Sequence, residues 1–339
     1  MMSFENFTEY VKSSVLQYLP PEYADTEVSI AKVAKNNNQR LTGIVIKNPE
    51  SNICPTVYLE GVFSKYEIGD LELDECVKEV AEIYLHNLVS DKTFDVSNFI
   101  SYENAKDKVI PRLVSSEDNE AYLEGIPHRV MDGLAVVYYL PVAEFNGKGN
   151  SASIRIHNGI MQSWGVTEEE LYAVATDNLS KSEAKFQTMG EVLREIMFSH
   201  GDEEWPVDIL PAEDVGMYVL SNSEKLFGAS MLLNHNVMDD ITERIGEFYI
   251  LPSSVHETIL LRKDTAQSLE YLERMVQEVN LTQVEAEERL SDHVFLYDIK
   301  TKEIYRADHE AEHRKNVAET EEAAKTNEQM QTTVRRRGR

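Results

Sequence analysis

Residues Gly133 to Pro141 read GLAVVYYLP, and no other stretch limits the fold class as strongly. The run is apolar on both faces, whereas a half-exposed strand alternates apolar and polar residues. It therefore predicts a central strand that is covered on both sides. An Asn- and Gly-rich turn at Asn146 to Asn150 follows, and then a second β-rich run, Ala152 to Ile156. Together, residues 133–157 predict an antiparallel hairpin.

The chain before this hairpin predicts a helix, three strands and a second helix. Apolar residues recur at helical spacing over residues 3–19, and Pro20-Pro21 ends that helix. The remaining predicted elements are a hairpin of Val28–Val33 with Leu41–Ile46, a third strand over Pro55–Tyr66, and a helix over Leu71–Val89.

The chain around and after the hairpin continues to alternate helices with paired strands. Thr167 and Glu170 have the spacing of a capping box and predict a helix that runs to Asn178. Further helices are predicted over Tyr102–Leu113, Thr188–Phe198, Ala229–Gly246 and Gln267–Asn280, and strands over Gly216–Leu220, Phe248–Leu251, Val255–Leu261, Val294–Tyr297 and Ile304–Arg306. This order favours an α+β fold with a mixed sheet over a doubly wound parallel sheet.

Composition divides the chain into three parts: an N-terminal unit (1–100), a main α+β domain (101–306) and a charged tail (307–339). The tail has no Leu, Ile, Phe, Tyr or Trp, and its seven acidic residues balance seven basic ones. It cannot bury much apolar area, so we expect it to be disordered or a lone helix. Its basic end, Arg335 to Arg339, leaves a docking function open.

The net charge excludes several functional classes. The chain has 339 residues, and its 33 Lys and Arg against 60 Asp and Glu give a formal charge of −27. Nucleic acids and anionic membranes attract cationic surfaces, so we expect the acidic body to bind neither directly. Two cysteines cannot build a disulfide framework, and neither a signal peptide nor a membrane span is recognisable. We therefore expect a cytoplasmic protein.

Sequence motifs for common cofactors are missing. The chain has no phosphate-binding G-x-x-x-x-G-K-[ST] or G-x-G-x-x-G motif, no G-x-S-x-G and no H-E-x-x-H. His309 and His313 have the i, i+4 spacing of two metal ligands on a helix, but no third ligand stands near them in the sequence. The sequence thus predicts neither a cofactor nor a metal site.

The densest group of reactive side chains is PSSVHE, Pro252 to Glu257. Ser254 and His256 lie on the same face if this segment is extended, while Glu257 points to the other. His157 and Asn158 follow a predicted strand, and loops at strand ends often carry sites. These five residues, His157, Asn158, Ser254, His256 and Glu257, are the candidate catalytic residues. A structural turn and a ligand-binding role are the alternatives for the PSSVHE segment.

Six stretches are distinctive: Ile126–Arg129, Gly133–Leu140, Ile156–Asn158, Trp164–Leu171, Met217–Asn222 and Ile250–Glu257. Together they resemble an uncharacterised bacterial domain-of-unknown-function family that is frequent in gut-dwelling Gram-positive anaerobes and sometimes encoded on mobile elements. The resemblance covers residues 5–306 and excludes the tail. It implies a cytoplasmic bacterial protein and no known chemistry, because the family has no assigned catalytic residues.

The sequence favours a non-catalytic binding or regulatory protein, for which an accessory function on a mobile element is one implication of the resemblance. The acidic body favours a protein partner, in particular a cationic one. The alternative is a hydrolase-type enzyme with a site assembled from His157, Ser254, His256 and Glu257. Partner identity, catalytic activity and oligomeric state stay open, and convergence of the two histidines in a pocket would favour the enzyme.

Overall fold

The computed structural model describes residues 2–47, 54–88, 101–145, 150–199, 216–320 and 322–323. The chain divides into two compact units, the first formed by Met1–Ala105 and Pro141–Ile154, the second by Lys106–Leu140 and Arg155–Arg339. The turn at 146–149 and the basic end Arg335 to Arg339 lie outside the described residues. The three-part division predicted from composition concerns independent folding and stays a prediction.

The first unit contains the predicted helix–strands–helix order. Ser3 caps the first helix by accepting a hydrogen bond from the N–H of Asn6 at 3.3 Å, and a capping box of Glu72 and Glu75 begins the last one. The elements are α1 (Phe4–Ser14), β1 (Val28–Ala34), β2 (Arg40–Ile46), β3 (Thr56–Tyr58), α2 (Glu60–Glu67) and α3 (Leu73–His86).

The strands of the first unit form a three-stranded sheet in the order β1-β2-β3, with antiparallel ladders. The helices cover it with apolar residues at i, i+4 spacing, such as Phe7, Val11 and Val15, which are all fully buried. Aromatic rings fill the centre of this core, and the ring centroids of Phe7 and Phe63 lie 5.1 Å apart. The core is thus closed by large apolar side chains.

The second unit holds most of the remaining helices and strands. Thr167 caps the helix Glu168–Ser180 through the predicted capping box with Glu170. In chain order, the elements after α3 begin with α4 (Tyr102–Ala105), which still lies in the first unit. The others are β4 (Ile110–Ser115), α5 (Glu120–Leu123), β5 (His128–Met131), β6 (Leu134–Phe145) and β7 (Asn150–Arg155), which both extend into the first unit, α6 (Asn158–Trp164), α7 (Glu168–Ser180), β8 (Ala184–Thr188), α8 (Met189–Ser199), β9 (Met217–Asn222), α9 (His235–Ile245), β10 (Phe248–Leu251), β11 (Thr258–Arg262), α10 (Leu269–Gln283), β12 (Phe295–Asp298) and β13 (Glu303–Arg306).

Two further sheets organise these strands. One has the order β4-β6-β5, with β7 also paired to β6, and the other has the order β13-β12-β10-β11-β9-β8. The predicted central strand is confirmed, since β6 lies between β4 and β5 and residues Leu134 to Tyr138 are all buried. The α+β class is also confirmed. Each ladder with a register defined by described residues is antiparallel, so the sheets are antiparallel where a mixed sheet was expected.

Two predicted elements are wrong in type. Within Pro55–Tyr66 the strand ends at Tyr58, and α2 follows because Leu59, Val62 and Phe63 bury one helical face. Within Tyr102–Leu113 only Tyr102–Ala105 is α-helical before β4 begins. Pro111 has no N–H to give a helix and is tolerated in β4 because that strand is at the edge of its sheet.

The chain continues past β13 as one 3₁₀ turn, Ala307–His309, and a helix over residues 310–320. We call residues 307–320 the C-terminal helix. Ala307 is buried in a core cluster of the second unit, and its N–H donates to the carbonyl oxygen of Val294 at 2.8 Å. Packing against the second unit therefore extends past the boundary at residue 306 that composition indicated.

In the described part of the chain, no helix combines the length and the apolar character that crossing a membrane requires.

Candidate functional site

The PSSVHE segment forms the connection between β10 and β11. Its polar groups hold the main chain in place: the hydroxyl oxygen of Ser254 accepts the N–H of His256 at 3.0 Å, and the N–H of Val255 donates to the carbonyl oxygen of Glu288 at 2.8 Å. Ser221 donates its hydroxyl hydrogen to the carbonyl oxygen of His256 at 2.8 Å. These bonds are those of a fixed structural turn.

Both ring nitrogens of His256 are engaged. Nδ1 accepts the N–H of Phe227 at 3.1 Å, so in the neutral ring the hydrogen is on Nε2, which lies 3.4 Å from Oε1 of Glu288. No hydrogen bond within the described residues joins the Ser254 hydroxyl to this ring. In this geometry His256 is not placed to take a proton from Ser254.

The contact between Phe227 and His256 depends on an unusual backbone. Phe227 has a φ of 53°, a left-handed conformation that is uncommon for a bulky residue. The next residue must be small, because a Cβ at Gly228 would lie 2.6 Å from the carbonyl oxygen of His256. Local strain of this kind is held by the surrounding hydrogen bonds.

A stack of aromatic rings and guanidinium groups lies beyond Phe227. The guanidinium carbon of Arg112 is 3.5 Å from the Phe227 ring centre and 4.0 Å from that of Tyr139. The hydroxyl groups of Tyr139 and Tyr122 are 2.6 Å apart, and Arg155 lies over the Tyr122 ring. Burial lowers the pKa of Arg112 to about 10, so this guanidinium is still charged at neutral pH and is stabilised by the rings.

The other candidates from the sequence do not join this turn. His157 is exposed and precedes α6, and the N–H of Asn158 donates to the carbonyl oxygen of Gly125 at 3.2 Å. Glu257 is exposed. No hydrogen bond or ion pair of the described residues connects His157, Asn158 or Glu257 to Ser254 or His256.

A cleft of about 740 Å³ lies elsewhere in the second unit. Its walls are β5 and the following Asp132, Tyr172 of α7, His235 at the start of α9, the turn at Thr301 and Lys302, β13, and the C-terminal helix. None of these residues was a sequence-based site candidate. The volume falls within the range of small-molecule sites, about 300–1,000 Å³.

His309 of the C-terminal helix is held on the cleft wall by Asp132. Its Nδ1 lies 2.9 and 3.1 Å from the two carboxylate oxygens of Asp132, and Oδ2 also accepts the N–H of Arg306. A carboxylate accepts hydrogen bonds, so Nδ1 carries the hydrogen and the neutral ring leaves Nε2 as an acceptor. Within the described residues, Nε2 has no hydrogen-bond partner.

His313, one helical turn further, is held by Asp298. Nε2 of His313 lies 3.1 Å from Oδ2 of Asp298, and the ring stacks on Tyr305 with centroids 3.8 Å apart. Burial raises the pKa of Asp298, but hydrogen bonds from the N–H groups of Lys300 and Thr301 and from His313 outweigh it, and the net pKa is lowered. The same carboxylate thus connects the Lys300–Thr301 turn to the C-terminal helix.

Two cations of the cleft wall are fixed by carboxylates. Arg129 binds Glu168 through Nε at 3.3 Å and Nη2 at 3.0 Å, and Glu168 also accepts the hydroxyl of the buried Tyr138. Lys302 donates to Asp239 at 2.6 Å, and this hydrogen bond lowers the pKa of Asp239. The charged groups of the wall are therefore pre-oriented.

Two polar atoms on the cleft residues are buried and have no partner within the described structure: Nδ1 of His235 and Oγ1 of Thr301. Burial lowers the pKa of His235, which favours the neutral ring. Buried polar atoms are nearly always hydrogen-bonded in proteins, so these two atoms distinguish His235 and Thr301 from the other residues of the cleft.

Among the described residues, no group of three or more His, Cys, Asp or Glu side chains is arranged to hold a metal ion. His309 and His313 each bind a different aspartate instead.

A family model matches residues 4–299 of the chain, which is most of its length. The chain belongs to DUF5688, a family of unknown function. The predicted resemblance to a domain-of-unknown-function family is thereby confirmed. The match ends before the C-terminal helix and includes Asp132, Asp239 and Asp298. No curated protein and no solved structure matches the chain.

The cleft could be recognised only in part from the sequence. The i, i+4 spacing of His309 and His313 was visible and marked one helical face. Their partners were not, since Asp132 stands 177 residues before His309.

Proposed function

We propose that this chain is a non-catalytic binding protein and that the cleft takes a small polar ligand. The observation that carries the proposal is a cleft of about 740 Å³ whose lining includes His235 and Thr301, two residues with buried polar atoms, Nδ1 and Oγ1, that have no hydrogen-bond partner among the described residues. A ligand with hydroxyl, carbonyl or amide groups satisfies such atoms. The pre-oriented cations Arg129 and Lys302 supply further recognition of polar groups.

Two features support binding over catalysis. The Ser254 hydroxyl and the His256 ring have main-chain partners, so the residues that suggested a nucleophile serve the turn. The cations of the cleft are also paired with carboxylates. Fixed charges reduce the ordering cost of ligand binding.

The test is a thermal-shift screen with free amino acids, dicarboxylates and nucleoside monophosphates as probes. Val130 lines the cleft and is 60% exposed, so Val130→Trp fills the cleft without breaking an ion pair. Leu281→Trp is the matched control, because Leu281 is 75% exposed on α10 and does not line the cleft. We expect a probe to raise the melting temperature of the wild type and of Leu281→Trp, but not of Val130→Trp. An equal shift in all three proteins would place binding elsewhere.

The alternative function is a hydrolase, and the Asp132–His309 pair is the observation that favours it. An aspartate that holds Nδ1–H of a histidine leaves Nε2 free to act as a general base toward water. The test is hydrolysis of p-nitrophenyl acetate and p-nitrophenyl phosphate. His309→Gln should lower such activity by about 100-fold, since general-base catalysis contributes 10²–10⁴-fold. If hydrolytic activity were lost in His157→Gln or His256→Gln instead, the active site would include the candidate residues predicted from the sequence.

Partner and location extend the same proposal. Since the C-terminal 33 residues are electrically balanced, the charge of −27 lies in residues 1–306, which supports a cationic protein partner and argues against direct nucleic-acid binding. Free cysteines at Cys54 and Cys76 agree with a cytoplasmic location. Bacterial origin, frequency in gut anaerobes and an accessory function on mobile elements rest on the sequence resemblance alone.

A further inference from the structure

Apart from the buried Ala307 and the stacking of His313 on Tyr305, the C-terminal helix is attached to the rest of the second unit by polar contacts. Ala307 is its buried residue, whereas Val317 is half-buried and residues 318–320 are exposed. Side-chain links join it to other elements: His309 to Asp132, His313 to Asp298 and to Glu303, Glu310 to Lys263 at 2.8 Å, and Asp308 to Arg306 at 2.7 Å. Each link replaces hydrogen bonds to water, so its net contribution to stability is small.

Cavities lie on both flanks of this helix. His309, Glu312 and His313 face the cleft of about 740 Å³. Glu310, Arg314 and Val317 face a second cavity of about 420 Å³, whose other walls include Lys263, Tyr297 and Tyr305. A helix with open space on two sides lacks the interlocking contacts of a packed interior, and such segments open at lower free energy than core elements.

The first residues of the segment are held more firmly than the rest. The Arg306 side chain binds Glu117 at 3.0 Å and Asp308 at 2.7 Å, and the Arg306 N–H donates to Asp132. Ala307 is anchored to Val294. An opening motion would therefore turn about Arg306 and Ala307 and carry residues 308–320 away from the cleft.

We propose that the C-terminal helix is a strap that closes the cleft and controls access to it. The His309–Asp132 and His313–Asp298 links hold the strap in its closed position. The proposal rests on the proposed function in that it assigns a regulation to the same cleft. Closure brings His309 and His313 onto the wall, and opening exposes the Thr301 turn that Asp298 ties to His313. Ligand entry and release then follow the opening equilibrium of the strap.

The first arm of the test measures opening without a ligand, by hydrogen exchange of the amides of residues 310–320 in the full chain. His313→Ala removes the link to Asp298, and the loss of this hydrogen bond to a charged group should speed exchange about tenfold. Lys263→Ala, which removes the link on the other flank, should also speed it. His157→Ala is the matched control, because this exposed histidine makes no side-chain cap, and it should leave exchange unchanged.

The second arm measures access to the cleft with N-ethylmaleimide. Thr301→Cys is made in a Cys54→Ser background, where the remaining Cys76 is fully buried. Labelling of Cys at 301 should rise about tenfold with His313→Ala and stay constant with His157→Ala.

Amide exchange over residues 310–320 that is as slow as in β6 would overturn the strap proposal. Faster exchange in His313→Ala without faster labelling at position 301 would also overturn it. Failure of the proposed function is distinct: no probe would then shift the melting temperature, while both arms could still respond as expected.

Discussion

The core of the first unit and the attachment of the C-terminal helix are built in opposite ways. In the first unit Phe7, Val11 and Val15 are fully buried and rings such as Phe63 and Tyr66 pack around them. The C-terminal helix offers carboxylates, imidazoles and alanines, and it is held by aspartate, glutamate and lysine links. The first arrangement depends on apolar burial, and the second depends on charge and protonation.

This difference teaches where the molecule can respond to its surroundings. Apolar burial contributes about 25 cal/mol per Å², involves no charge pair that salt could screen, and is lost only when the core opens. Polar links between half-exposed groups weaken with salt and change with pH. The cleft is bordered by the second kind of attachment.

The largest effect is expected in the first unit. Phe7→Ala should destabilise it by about 3–5 kcal/mol, because a buried ring is replaced by a cavity. Hydrogen exchange of first-unit amides across a urea series measures this loss. The matched control Phe198→Ala removes a ring that is 82% exposed and should have almost no effect. Equal effects of the two substitutions would abolish the contrast between core and surface.

Truncation after Arg306 should have a smaller effect. It removes the polar links of the C-terminal helix, the stacking of His313 on Tyr305 and the buried Ala307, a loss of about 1–2 kcal/mol, which lowers the melting temperature by roughly 2–8 °C. Calorimetry of the second unit measures it, and truncation after Thr320, which keeps the links, is the control. Composition alone predicts that truncation after Arg306 lowers the melting temperature by no more than a few degrees. A fall well above 10 °C would mean that the helix is part of the core.

A pH dependence should come from His235. Burial lowers its pKa in the folded chain, so below the ordinary value of about 6.5 the unfolded chain binds a proton that the folded chain does not. Stability is then fully present above pH 6.5 and falls as the pH drops below it. Asp239 and Lys302 face this ring, and their opposite charges act on it in opposite directions.

His235→Gln should therefore lose less stability than the wild type between pH 7 and pH 5. Urea unfolding at the two pH values measures the difference. His157→Gln, an exposed histidine, is the control and should follow the wild type. A wild-type slope retained in His235→Gln would assign the titration to another group.

The smallest effect is expected from screening by salt. Lys263→Ala should destabilise the docked helix by about 0.5 kcal/mol at low salt and by almost nothing in 1 M NaCl, where the Debye length is about 3 Å. The melting temperatures of both proteins across a salt series measure this. Lys78→Ala, which breaks the exposed Lys78–Glu82 pair on α3, is the control for general surface effects. A salt-independent effect of Lys263→Ala would point to packing of its aliphatic stem.

Local sequence determined many of the elements because their signals are short-range. Capping boxes at Glu72 and Thr167, apolar spacing in α1 and α3, and the apolar run of β6 depend on residues at most a few positions apart. Prediction from local sequence failed in Pro55–Tyr66, where a strand pattern and a helical pattern overlap. It also failed at Pro111, which is tolerated in β4 because that strand is at the edge of its sheet.

The candidate site was decided by tertiary structure. The sequence by itself determined the acidic charge, the α+β class and the presence of a helical histidine pair near the C-terminus. Only the fold brings His309 to Asp132 across 177 positions and arranges Arg129, His235 and Lys302 around one cleft. It also gave the Ser254 hydroxyl and the His256 ring separate main-chain partners and did not join the hydroxyl to the ring. The physical reason is that a side chain's partner depends on which surfaces the sheets bring together, and sequence spacing encodes only the neighbours within one element.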